Sequence, residues 1–202
     1  MTSSSVGTRG RGMADLDDRE GRAPRSEAAL AAALLDAREY TRRTYAHLTA
    51  AQQQFPRIPL VNLPRWEIGH IGWFQEFWCR RYRADDPEAA RTPSRLPGAD
   101  AWWNSSRVPH ATRWTLQLPD WDGISAYLDA TLADTLDALA ATRDGDRYFF
   151  ELALYHEDMH GEALLMTLQT LALPAPPWWQ SPVVAAPAHQ AHPTGDPCCG
   201  PS

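Results

Sequence analysis

No apolar run in the chain approaches the roughly 20 residues that a membrane-spanning helix needs, because the longest are broken by charge. Basic residues are not in excess either. Nineteen Lys and Arg stand against 25 Asp and Glu, for a net charge of −6 and a pI near 5.6, which is the reverse of a nucleic-acid-binding footprint. Cysteine is scarce: Cys79 sits inside a helical pattern and Cys198 and Cys199 are vicinal near the end, so no disulfide framework exists and a reducing cytoplasm is the expected compartment. A glycine-rich phosphate loop, an internal repeat and strand-like alternation are all missing. Residues 1–25 lack the hydrophobic centre of a secretory signal and read as a disordered tail.

What is there is a globular core: 202 residues, 44% of them hydrophobic, with nine tryptophans. Ser26 is placed as an N-cap, and Leu30, Leu34, Ala37, Thr41, Tyr45 and Leu48 recur at three- and four-residue steps, which predicts a first helix over about 27–53. After a proline-punctuated connection, Asn62 as N-cap and Pro64 in the first turn predict a second helix, RWEIGHIGWFQEFWCRRYR. On it Trp66, His70, Trp73 and Phe77 share a stripe. A long, weakly periodic stretch over 84–120 carries Trp102, Trp103 and Trp114 around SSRVPHATR, with Arg107, His110 and Arg113. Loops of that length in a compact domain are functional or disordered, and the aromatics favour an ordered, functional one. Amphipathic spacing predicts further helices over 121–142 and 146–171. The fold class is therefore all-α, a four-helix bundle over 26–173, and 174–202 reads as a Pro/Ala-rich linker or tail whose His189, His192, Cys198 and Cys199 are exposed rather than metal-binding.

The last helix carries His156-Glu157-Asp158-Met159-His160. Residues four apart on a helix lie about 40° from each other, one turn up, so the two histidines can grip one metal ion. An isolated pair of this kind is more often one core and one solvated histidine. Here Glu157 and Asp158 stand beside the pair, no Gly or Pro interrupts the helix before it, and His70 is embedded in an aromatic stripe on another helix, which makes it the natural third ligand. The literal His-Glu-x-x-His match also raises a zinc-protease reading, with Glu157 as general base. That reading falls behind because no strand is available to align a peptide. Arg107 is placed to hold a substrate carboxylate through its planar fork, with Trp103 on the same wall of the pocket.

WEIGHIGWFQEFW followed by YHEDMHGEALLMTLQTL resembles the DinB-like N-terminal domain of the ergothioneine synthase and selenoneine synthase family, more closely the latter, over about 28–177. The resemblance implies a mononuclear non-heme Fe(II) held by His70, His156 and His160, with Glu157 and Glu162 supporting the ligands and open positions for O2 and substrate. It further implies oxidative attachment of sulfur or selenium to the imidazole of hercynine. Where ergothioneine-forming members carry a polar amide next to the last ligand, able to touch the substrate imidazole, this chain has Met159, which leaves selenium the more open donor. The family continues into a formylglycine-generating-enzyme-like C-terminal domain, so the chain is expected to lack one wall of the pocket and to be inactive or nearly so alone. Two readings of other classes stand beside this one: a stand-alone zinc-dependent thiol transferase or hydrolase, and a non-catalytic metal-binding bundle.

Overall fold

A computed structural model describes residues 25–83, 85–143 and 147–179. The expected N-terminal tail up to residue 24, the Asp144-Gly145-Asp146 turn and the histidines and cysteines after residue 180 lie outside them. Five α-helices follow in order: α1 Glu27–Ala46, α2 Pro64–Glu76, a short α3 Ala99–Trp103, α4 Trp121–Ala140 and α5 Tyr148–Thr170. No strand occurs among the described residues, so the architecture is all-α. α1 packs along α5 and α2 along α4, while α2 against α5 and α1 against α4 close the four-helix bundle.

The helix ends are set by local chemistry. Ser26 caps α1 as expected, its hydroxyl accepting from the Ala29 N–H at 3.2 Å, and Asp120 caps α4 through the Gly123 N–H at 2.9 Å. The C-terminal end of α1 differs from expectation, since the helix stops at Ala46 rather than near Gln53. Thr49 and Gln52 exchange side-chain and backbone hydrogen bonds there, which offers the backbone an alternative to the helical ladder. Asn62 is likewise not the cap of α2. Its side-chain oxygen accepts from Arg113 at 2.6 Å, and Leu63 takes the cap position without a side-chain bond.

α2 runs on through one π-helical turn, Phe77–Arg81, closed by the Tyr82 N–H donating to the Phe77 carbonyl at 2.8 Å. The wider turn swings Arg81 inward, where it grips both oxygens of Asp100 at 2.8 and 3.1 Å. The segment 174–179, expected to belong to the tail, lies against α1 instead: Trp178 packs on Tyr40 and donates to the Arg43 carbonyl, and the Pro174 carbonyl lies 2.8 Å from His47 Nε2.

Two clusters form the core. Leu30, Leu34, Leu132, Leu139 and Leu154 fill one end with aliphatic side chains, joined by Phe150. The other is built on Trp66, Trp73, Trp103, Tyr127, Leu164 and Leu168. The stretch over 85–120 is an ordered strap over this aromatic end, and α2 holds it with one side chain per turn. The Trp66 indole N–H donates to the Trp102 carbonyl, His70 Nδ1 to the Trp103 carbonyl, and the Trp73 indole N–H to Asp100, at 2.7, 2.8 and 2.7 Å. Glu76 then accepts from the Ser94 hydroxyl, the Arg95 N–H and the Tyr127 hydroxyl. Gly98 starts α3 at φ +96°, a left-handed conformation that favours glycine.

Candidate metal centre

His70, His156 and His160 come together between α2 and α5. Each offers a ring nitrogen, and these atoms all lie within 4.8 Å of one another. Two nitrogens bound to one ion at about 2.1 Å are at most about 4.2 Å apart, so small side-chain rotations close the shell. The ring centroids are 4.5–5.2 Å apart. His70 is buried, and His156 and His160 are half-buried at the mouth.

The rings are fixed before any ion arrives. His70 stacks between Trp66 and Trp73, at 5.0 and 6.1 Å between centroids, and its Nδ1 is engaged by the Trp103 carbonyl. His160 Nδ1 pairs with Glu67 Oε1 at 2.9 Å. In both rings the tautomer that donates from Nδ1 leaves the Nε2 lone pair for a metal, the usual arrangement for a ligand histidine. His156 lies flat on Phe74, 3.6 Å between centroids and 4° between planes. Burial lowers the His70 pKa to about 4, and burial with the neighbouring His160 and His70 lowers that of His156 to about 2. Neutral imidazoles are the protonation state that a metal requires, so the donor set fits a divalent ion.

Trp103 serves the site through its backbone. Its side chain is wholly buried, stacked 5.3 Å from Tyr127, so it does not form the pocket wall expected from the sequence. The close approach of the strap depends on Gly69: a Cβ there would meet the Trp103 indole at 2.1 Å.

Glu157 is nearly fully buried but faces α1, a third of a turn from His156. Its carboxylate accepts from Arg38 Nε and Nη2 at 2.8 and 3.1 Å and from the Thr41 hydroxyl at 3.0 Å. A general base for a metal-bound water cannot be drawn from a carboxylate so engaged, and the protease reading loses its residue. Glu162, expected beside the ligands, is exposed on the side of α5 that faces Tyr40. The carboxylate that does pair with a candidate ligand is Glu67, which sequence reasoning passed over. Its position three residues before His70, on the same helix face, was the available signal.

Arg107 is exposed, and its guanidinium has no hydrogen-bond or ion-pair partner among the described residues. Of the strap arginines, Arg113 comes nearest the histidines. Its guanidinium carbon lies 3.5 Å from the centre of the Trp66 ring, and its charge contributes to the low pKa of His70. Met159 is half exposed beside His160, about 60° around the helix from His156, and borders the mouth.

The model for the DinB superfamily matches residues 33–171, more than half of the chain. The chain belongs to this superfamily. Among curated proteins, this DinB bundle is 30% identical over 143 residues to the hercynine oxygenase of Mycolicibacterium thermoresistibile, covering 70% of this chain and 31% of that one. It is 32% identical over 112 residues to the hercynine oxygenase of Mycobacterium tuberculosis, covering 54% of this chain and 25% of the relative. The hercynine oxygenase of Mycolicibacterium smegmatis is 30% identical over 111 residues, with 54% and 25% covered. The matched region thus spans only about a quarter to a third of the length of these relatives. No helix of the described residues is long and apolar enough to cross a membrane.

Proposed function

We propose that this DinB bundle is the iron-holding part of an O2-dependent synthase that joins selenium or sulfur to the imidazole of hercynine. One observation carries the reading: three neutral imidazoles on α2 and α5, two of them anchored through Nδ1, converge at a half-buried mouth in a bundle whose curated relatives are named hercynine oxygenase. Three imidazoles suit Fe(II), with zinc the alternative ion. When bound, Fe(II) supplies redox chemistry and positions for O2 and substrate.

The chain's own residues prepare the site. The Trp103 carbonyl and Glu67 keep His70 and His160 aimed at the centre, and Trp66, Trp73 and Phe74 close one side to water. Met159 and Arg113 border the open side. Met159 stands where the resemblance gives ergothioneine-forming members a polar amide that touches the substrate imidazole, and a thioether supplies no strong hydrogen bond there, so selenium is the donor we place first. The carboxylate-binding role expected of Arg107 passes to Arg113, which lies on Trp66 within electrostatic reach of His70. Holding substrates in reacting geometry also asks for the opposite wall, which in this reading the longer relatives carry outside the matched region.

The test is Fe(II) titration followed by product analysis with hercynine, O2 and a selenium or sulfur donor. The chain is expected to take up Fe(II), to lose it on His70→Ala, and to turn over far more slowly alone than when fused to the C-terminal portion of a relative. Retention of zinc with thiol-dependent, O2-independent activity overturns the synthase reading. Equal turnover by chain and fusion overturns the need for a second wall.

A further inference from the structure

α5 turns an apolar stripe away from the bundle. Tyr148, Tyr155, Met159 and Met166 are 67%, 51%, 53% and 67% exposed. Turning about 100° per residue, the helix brings all four within about 40° of one another, directly opposite the buried Phe150, Glu157 and Leu164. The outermost face of a helix is normally its polar one. Here acid stands only along one edge of the stripe, as Glu151, Asp158 and Glu162, while Leu152 and Ala163 lie along the other. Tyr155 is steadied by Arg25, whose Nη1 donates to its hydroxyl at 3.0 Å, and still stays half exposed.

The stripe reads the same in both directions. Tyr148 and Met166 are equally far in sequence from Glu157, and so are Tyr155 and Met159. Two copies of α5 laid antiparallel about a two-fold axis at that level therefore set Tyr148 against the partner's Met166 and Tyr155 against the partner's Met159. That is the condition for an isologous contact, in which residue i meets j and j meets i. Shape agrees with order at the ends. Beside Met166 lies a groove of about 600 Å³ that Leu165, Leu173 and Trp179 also line, with Trp179 itself 50% exposed. The same register carries the partner's Tyr148 to this groove, a protruding ring to a recess.

We infer that the outer face of α5 is a self-association surface, taken by α5 of a second copy of this chain in antiparallel order. The contact from Tyr148 to Met166 is about 27 Å long at 1.5 Å per residue. A single helix pair of that length falls at the low end of specific interfaces, so monomer and dimer exchange with concentration. The two-fold axis brings the acidic edges side by side, and salt that screens their repulsion tightens the pair. The apolar edges meet on the other side, with Leu152 near the partner's Ala163. His156 and His160 lie about 80° and 120° around the helix from Tyr148, so the contact needs no metal and the inference is independent of the metal-site reading.

The experiment is analytical sedimentation of the full chain over a range of concentrations, at low and high salt, for the wild type, Tyr148→Glu, Met166→Lys, the double variant and Leu60→Lys, a control at an exposed leucine outside the stripe. The wild type is expected to pass from one chain to two as concentration rises, more readily at high salt. Each single substitution on the stripe should weaken association about tenfold or more, because it sets a lone charge against an apolar face. The double variant should recover much of the loss, since the register places each introduced acid against an introduced base. Leu60→Lys should behave as the wild type, and far-UV circular dichroism checks that every variant keeps its helices. Peroxide oxidation of Met159 and Met166, read by mass spectrometry, should slow as the chain is concentrated. A chain that stays single at every concentration overturns the inference: methionines that react freely leave the stripe to a partner of another kind, and shielded ones assign it to another segment of the same chain. A dimer that neither single substitution weakens lies on a different face and overturns it too. A double variant no better than the singles overturns the antiparallel register.

Discussion

Glu157 and Glu67 are equally buried, at 2% exposure each, and sit on the two seams that α5 touches, one toward α1 and the other on α2. On the α1 side, Glu157 is saturated. Arg38 and Thr41 fill its lone pairs, and the other Arg38 donors go to the Leu128 carbonyl and the Gln75 side chain at 2.7 Å each. This seam is a closed ionic lock binding α1, α2, α4 and α5. On the α2 side, Glu67 spends one oxygen on His160 and keeps the other without a partner. Residue type and burial are the same, so partners alone separate a structural carboxylate from a functional one. The glutamate inside the recognisable motif is the one locked between helices, and the glutamate outside it is the one that pairs with a candidate ligand.

The sharpest way to break this comparison is Arg38→Ala. Stranding the Glu157 charge should cost about 3–5 kcal/mol of folding stability by urea denaturation, as removal of one partner from a buried pair does. Metal affinity of the protein that remains folded should change little. Next in size is Glu67→Gln, which should weaken metal binding about 10–100-fold in a chelator competition, with a smaller loss of stability, the opposite profile. Gly69→Ala tests the strap: the new Cβ meets the Trp103 indole, so a loss of about 1–3 kcal/mol is expected from overpacking. Because the Trp103 carbonyl must shift with the indole, metal affinity should fall alongside. The remaining prediction concerns acid. His70 and His156 stay neutral in the folded, metal-free chain well below the ordinary histidine pKa near 6.5, so the unfolded chain binds protons that the folded one refuses. Stability is therefore full above about pH 6.5 and declines as pH falls toward 4, which thermal melts across that range would check. Loss of stability on raising the pH through 7 would contradict the burial of these rings.

Much of this was legible in the chain. The four-residue step between His156 and His160 and the aromatic stripe around His70 put three imidazoles on inward faces, and the structure brings them together. Helical periodicity also placed four of the five helices. Contacts between elements were less legible. Trp103 stood out as a residue, but its service to His70 comes from a carbonyl oxygen, which every residue carries. Arg38 offered a usable signal, a charge between Leu34 and Thr41 on the apolar face of α1, where an arginine must find a partner. The end of α1 was misplaced because the side chains of Thr49 and Gln52 outbid a continuing helix.

The one-contact-per-turn fastening between α2 and the strap divides the segment after α2 into two mechanical zones. Residues 94–103 are bolted to the helix that bears His70, and a change there is felt at the ligand. Ser105, Ser106 and Arg107 lie beyond the last bolt and are exposed. Variation at these outer positions can therefore reshape the surface of the strap without disturbing the aim of the His70 imidazole, so one continuous loop holds a part that is fixed to the ring and a part that is free of it.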